Sequence, residues 1–154
     1  MCFEFLKRNM NQAPVIPITD LVEITRAEFL VTLEGYGIMP IASDTPLDYS
    51  LFLAKKAELD RIALYLVYPA DLYIDGIADC EDYGLQAQCD SAFKYHCNGV
   101  RLALGSTPLG YHGWAMALDQ DKLLWQLEPN NGFPYAATWF AYGENEYIPE
   151  KVLA

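Results

Sequence analysis

The spacing of apolar positions changes along the chain, and each change marks an element. Pro14 and Pro17 rule out a helix near the start, because proline lacks an N–H and clashes with the preceding turn; residues 1–18 read as an extended lead-in. Thr25-Arg26-Ala27-Glu28 has the spacing of a capping box. Ala27, Leu30, Val31 and Leu33 follow it, and Gly35 and Gly37 stop it, which predicts a short amphipathic helix over 26–34. After the loop Asp44-Thr45-Pro46, Leu51, Ala54, Lys55, Glu58, Ile62 and Tyr65 recur at steps of three and four. That predicts a helix over 47–66, although Leu64 to Tyr68 could also close it as a short strand; Pro69 ends the element either way. Asp71 to Gly76 is polar and turn-prone. Asp79 is a good N-cap type, and Cys80, Tyr83, Gly84, Ala87, Ala92 and Phe93 continue from it with helical spacing. This predicts a helix over 80–97, broken by Asn98-Gly99.

The last third reads as sheet. Val100 to Leu104 is a short apolar run, and Gly110 to Leu118 and Lys122 to Leu127 flank Asp119-Gln120-Asp121, as the strands of a hairpin flank its loop. Glu128-Pro129-Asn130-Asn131-Gly132 closes the second strand with a turn; Ala136 to Tyr142 and Glu146 to Ile148 are short and ambiguous. Helices first and antiparallel strands later predict an α+β fold. The expected organisation is a single domain over 1–154, with a helical part over 1–68 covering the sheet and a core over 69–154.

Composition narrows the function. The chain has 154 residues, 53% hydrophobic and 20% charged, enough for one ordinary core. Ten basic residues against 21 acidic ones give a net charge of −11, which argues against nucleic acid and anionic membrane surfaces as partners. No apolar run of about 18 residues is present, so no membrane span is expected. The N-terminus has no basic region ahead of an apolar stretch and no lipoprotein-type leader before Cys2, so a cytoplasmic protein is expected, with Cys2, Cys80, Cys89 and Cys97 as free thiols. Cys89 and Cys97 read as core residues.

Three residues carry candidate chemistry. Cys80 sits at a predicted helix N-terminus, where unpaired N–H groups and the macrodipole favour a thiolate. His112 lies in a strand and Glu128 ends the next one. If Asp119, Gln120 and Asp121 form a three-residue loop, Leu118 pairs with Lys122, and His112 then lies directly opposite Glu128 on one face. A carboxylate there could orient the imidazole, and the imidazole could take the proton of a nucleophile brought up from the helix. A two-residue loop would put the two side chains on opposite faces. If the register slips, Gln126 or Asn130 could stand in for Glu128.

Asp79-Cys80-Glu81-Asp82-Tyr83-Gly84-Leu85 resembles the D-C-[DE]-[DN]-[FWY]-[AG] motif of transglutaminase-like and papain-like cysteine proteins, and most of all the bacterial and phage branch related to the C-terminal domain of a mushroom agglutinin. Tyr111-His112-Gly113-Trp114-Ala115 is similar to that group's G-H-A-[WF] strand, and Leu127-Glu128-Pro129-Asn130 to its E-P-[QN] element. The resemblance spans roughly residues 65–133. It implies a nucleophile helix packed on an antiparallel sheet, with Cys80 as nucleophile, His112 as base and Glu128 as orienting acid, supported by Asp79, Trp114 and Asn130. It also implies a cysteine hydrolase, a peptidase or amidase working through an acyl-thioester on a peptide or amide substrate. In two places the chain departs from the pattern. Tyr111 stands where the group usually has Gly before the His, with glycine arriving at Gly113. No Gln precedes Cys80 in Leu72-Tyr73-Ile74-Asp75, so oxyanion donors would have to be backbone N–H groups, such as that of Cys80.

Other readings of the same residues remain open. Asp71, Asp75, Asp79, Glu81 and Asp82 surround Cys80 without a basic residue, and nearby negative charge raises a thiol pKa. This favours a non-catalytic structural or assembly module of phage or bacterial origin on the same fold, binding another protein and virion-associated if it comes from a phage. The same acids could supply oxygen ligands to Ca²⁺, but their spacing is not an EF-hand loop. Cys89, His96, Cys97 and His112 match no zinc pattern. No cofactor and no metal is therefore expected. Trp114, Trp125 and Trp139 could line a sugar or peptide groove, but aromatic residues on strands are more often core.

Overall fold

The computed structural model describes residues 15–41 and 48–154. Cys2, most of the extended lead-in and the Asp44-Thr45-Pro46 loop lie outside the described residues. Eight strands and three helices are described: β1 (Leu21–Thr25), α1 (Arg26–Glu34), β2 (Met39–Pro40), β3 (Ser50–Ala54), α2 (Lys56–Ala63), α3 (Cys80–Tyr95), β4 (Val100–Thr107), β5 (Gly110–Leu118), β6 (Leu124–Leu127), β7 (Phe140–Ala141) and β8 (Ile148–Val152), with short 3₁₀ turns at Leu64–Leu66 and Ala70–Leu72. The fold is α+β, dominated by a six-stranded sheet in the order β2-β8-β4-β5-β6-β7.

α1 follows the sequence reading. Thr25 is its N-cap, and the hydroxyl accepts from the Glu28 N–H at 3.1 Å, satisfying one of the orphan donors of the first turn. α3 starts where Asp79 predicts. The Asp82 carboxylate accepts from the Asp79 N–H at 3.2 Å and completes a capping box, and the helix ends at His96 in the left-handed region, φ 61°. It lies close on the central hairpin. A Cβ at Gly84 would come within 2.5 Å of Leu102 Cδ1 and 3.2 Å of the Trp114 carbonyl oxygen.

Strand β5 separates two cores by simple alternation. Ala115 and Ala117 face one, shared with Leu59, Ile62, Leu66, Tyr83, Ala87 and Tyr95 from α2, α3 and the turn after α2. Trp114, Met116 and Leu118 face the other, shared with Phe29 and Leu33 of α1 and with Leu51 and Leu53 of β3. Each fully buried side chain of this size adds about 1.5–3 kcal/mol, and both faces of the strand are used.

Several expectations need correction. The helix expected over 47–66 is two elements: Ser50–Ala54 forms a strand paired antiparallel with β1, and the helix starts only at Lys56. Leu51 and Leu53 point inward and Phe52 outward, an alternation masked by the coincidental spacing of 51, 54, 58 and 62. The N-terminal part is consequently a helix and a two-stranded sheet as well as α2. The main sheet is not wholly antiparallel, because β2 runs parallel to β8. The ambiguous segments over 136–142 and 146–148 reduce to Phe140–Ala141 and Ile148–Val152. Cys89 is exposed while Cys97 is buried: Cys89 lies about 200° round the helix from buried Ala87.

Candidate functional site

The hairpin β5–β6 sets the geometry of the His and the acid. Its register pairs Leu118 with Leu124 and Ala115 with Leu127, so the loop runs from Asp119 to Leu123 and is longer than the three residues expected. Asp119 builds it: one carboxylate oxygen accepts from the N–H groups of Asp121 and Leu123, at 2.9 and 3.0 Å, and the other from the Trp125 indole at 2.7 Å. Lys122 takes φ 62°. His112 is therefore not directly opposite Glu128. The slip is by an even number of residues, so both side chains keep the same face, and they meet on the diagonal, His112 Nε2 to Glu128 Oε2 at 2.7 Å.

Glu128 is completely buried, and a buried carboxylate requires hydrogen-bond donors. Three converge on it. Besides His112, the Asn130 N–H donates to Oε1 at 2.9 Å and the Tyr147 hydroxyl to Oε2 at 3.0 Å. Burial first, and Glu128 next, push the Tyr147 phenol well above its ordinary range. Behind this pair, the Trp114 indole donates to Gln126 Oε1 at 3.0 Å and Gln126 donates to the Tyr147 carbonyl at 3.3 Å. His112 is buried and stacked on Phe133, with ring centroids 4.9 Å apart. A carboxylate only accepts, so Nε2 donates to it; in a neutral imidazole this leaves the lone pair on Nδ1.

Cys80 comes to the same end of β5 on the first turn of α3. The strand residue it meets is Gly113, next to His112. A Cβ at Gly113 would lie 3.2 Å from both the N and the Cα of Glu81, so glycine is what lets the helix start approach the strand. This gives a physical reason for the glycine after the histidine. Below the Ala115–Leu127 pair, β5 has no ladder partner on its β6 side. Cys80 belongs to the helix covering the Gly113 and Ala115 face, and His112 leaves the strand on the Trp114 face.

Among the described hydrogen bonds, the Cys80 thiol donates to Glu81 Oε2 at 3.0 Å and makes none to His112. Burial, and then the Glu81 bond, push the thiol up to about 12; the Gly113 N–H works the other way. Accepting from Cys80, and next from Asp79, holds Glu81 below the usual carboxylate range. The structure thus joins His112 to Glu128 and sets Cys80 beside Gly113, with its thiol resting on its neighbour.

The supporting residues serve as follows. Asp79 caps α3, and Trp114 packs in the core and holds Gln126. Among the described hydrogen bonds the Asn130 side chain makes none to His112: its Oδ1 accepts from the Gly132 N–H at 2.9 Å and shapes the turn. Sequence reasoning missed Tyr147 and Phe133. Tyr147 lay in an ambiguous segment, where the only signal was that a buried tyrosine hydroxyl needs a partner. Among the described residues, no three His, Cys, Asp or Glu side chains gather as a metal site, so the acidic run 71–82 does not close into an oxygen cage. No helix among them is long and apolar enough to cross a membrane.

No family model and no curated protein matches the chain. Two of the solved structures that share its fold are as follows. A structure titled as a PSL1a-E64 complex aligns over 86% of this chain and 51% of its own, at 17% identity and a TM-score of 0.58. A Polyporus squamosus lectin, titled as bound to the human-type influenza-binding epitope Neu5Aca2-6Galb1-4GlcNAc, aligns over 86% of this chain and 49% of its own, at 16% identity and a TM-score of 0.58. The chain spans about half the length of each, and identity this low speaks for the fold alone. The mushroom-lectin side of the resemblance is supported. The labels of peptidase and hydrolase are corrected, because the structures found are lectins. At the level these comparisons reach, the chain has an α+β fold shared with about half of a mushroom lectin.

Proposed function

We propose that Cys80, His112 and Glu128 form a thiol acyl-transfer site. The observation that carries the reading is the buried His112–Glu128 pair at 2.7 Å, fixed beside the glycine that the Cys80 turn packs against. In this reading the Cys80 thiol turns away from Glu81 and gives its proton to Nδ1 of His112 across Gly113, which has no side chain to stand between the two faces of β5. The thiolate attacks an amide carbonyl and the C–N bond breaks. The departing amine takes the proton from the imidazolium, leaving an acyl-thioester on Cys80. Release goes to an amine acceptor, which takes the acyl group and returns the thiol to Cys80. Glu128 orients the ring and stabilises its protonated form. The Cys80 N–H at the helix start, which has no intrahelical acceptor, serves as donor to the developing oxyanion. The acyl donor is a peptide or another amide.

The rival is a non-catalytic binding module on the same fold. The observation favouring it is the Glu81-bound thiol, held near 12. Acyl trapping separates the two. The full chain is incubated with a p-nitrophenyl ester and mapped by mass spectrometry, with exposed Cys89 as an internal control. Acylation favouring Cys80, and lost in His112→Ala, supports the thiol site. Acylation following exposure alone, with Cys89 leading, supports the module.

A further inference from the structure

Beside the Cys80 turn lies a cleft of about 360 Å³, lined by Tyr68, Asp71, Leu72, Ile74, Ala78, Asp82, Tyr83 and Gln86. It is at the low end of ligand sites, roughly 300–1,000 Å³. Ala78 precedes Cys80 by two residues, and Asp82 and Tyr83 follow it within the first turn of α3.

The wall chemistry is one-sided. Leu72, Ile74 and Ala78 are apolar. The Tyr83 hydroxyl donates to the Pro69 carbonyl at 2.7 Å and the Tyr68 hydroxyl to Asp90 at 2.9 Å, so both phenols already have acceptors and offer the cleft mainly ring surface. Gln86 is likewise engaged with Asp90 at 3.0 Å. Asp71 and Asp82 are the charged groups at the wall. No described ion pair involves either of them, and no basic residue lines the cleft. Apolar and aromatic walls with two carboxylates complement an aliphatic stem that ends in a cation. An anionic side chain would meet only like charge, whereas a cationic one would face the Asp71 carboxylate and that of Asp82, which also accepts from the Asp79 N–H.

We infer that this cleft is a specificity subsite for a cationic, aliphatic side chain of the acyl donor, lysine-like or arginine-like, next to the carbonyl that Cys80 attacks. As an acyl-donor subsite it rests on the thiol-site reading; as a cation site it stands on the cleft alone.

The test has two arms. In the first, the ¹⁵N-labelled full chain is titrated with N-acetyl-lysine methylamide and with its uncharged counterpart N-acetyl-norleucine methylamide, following the amides of Asp82, Tyr83 and Gln86. Two exposed carboxylates predict about fivefold tighter binding of the lysine compound at low salt, a preference that salt weakens. It should fall toward unity in Asp71→Asn with Asp82→Asn. Asparagine at 82 keeps a carbonyl oxygen for the Asp79 N–H, so the helix start survives. In the second arm, chloroacetamides carrying the two side chains compete for Cys80, with iodoacetamide measuring intrinsic thiol reactivity. Faster Cys80 capture by the lysine compound, in the same ratio as binding, supports the subsite. Equal binding, or none, overturns it. Selective binding without faster capture of a Cys80 that reacts with iodoacetamide overturns its role for the acyl donor. A Cys80 inert to every reagent, alongside selective binding, overturns the thiol-site reading and the acyl-donor role with it, and leaves a cation site.

Discussion

The sheet half and the helix half of the site hold their polar groups in different ways. On the sheet, Glu128 is fully buried, with donors from His112, Asn130 and Tyr147 between 2.7 and 3.0 Å, and a chain from Trp114 through Gln126 fixes Tyr147 from behind. On the helix, Cys80 is half-buried and its thiol rests on Glu81, the next residue in the chain. The acid and the ring are therefore preorganised by packing, whereas the thiol is held by one hydrogen bond to its neighbour. Substitutions on the sheet side should be read mainly in stability, and those on the helix side mainly in reactivity.

The largest effect is expected at Glu128. Glu128→Ala leaves His112 and the Tyr147 hydroxyl facing a cavity and should lower stability by about 3–5 kcal/mol, as breaking a buried pair does. Thermal and urea unfolding read this, and a loss below about 1 kcal/mol would mean that the pair is in effect exposed. Tyr147→Phe removes one donor to a buried carboxylate and should cost about 1–3 kcal/mol, with the chemical shifts of the His112 ring moving as well. Unchanged shifts would take Tyr147 out of the network.

Gly113→Ala probes the seam between the halves. Its Cβ would press on the backbone of Glu81 at 3.2 Å, and overpacking against backbone costs about 1–3 kcal/mol. The change should also alter Cys80 reactivity, whereas Gly143→Ala, away from the helix start, should leave Cys80 unchanged. The smallest stability effect belongs to Glu81→Gln, within about 0.5 kcal/mol as for other surface positions. Its reactivity effect is large. With the carboxylate gone the Cys80 pKa should fall from about 12, and alkylation at pH 8 should speed up. The sign for stability follows from the raised value. The neutral thiol contributes fully below the ordinary thiol pKa, and the contribution is lost as pH rises toward 12, because the unfolded chain ionises first.

Much of this was legible in the sequence, for identifiable reasons. Thr25 and Asp79 announced their helices because capping is local chemistry. The shared face of His112 and Glu128 survived a wrong loop length because strand orientation depends only on whether the register shift is even or odd. The shift itself came from Asp119, whose carboxylate collects N–H groups across the loop, a contact that no spacing rule encodes. The strand Ser50–Ala54 was hidden because its pairing with Leu21–Thr25 is a tertiary fact. Tyr147 reaches Glu128 only because β8 returns beside β4. Glu81 was visible as a nearby negative charge, but not as the acceptor of the thiol.

The central claim is that His112 is the base for Cys80 once Glu81 releases it. The most direct measurement is the pH profile of Cys80 alkylation in Glu81→Gln, with His112 present and with His112→Ala. The account predicts that Glu81→Gln reacts at neutral pH as a thiolate–imidazolium pair, with a plateau that disappears in the double variant. Superimposable profiles with and without His112, both rising only as an isolated thiol ionises, would contradict it and leave Cys80 a structural residue.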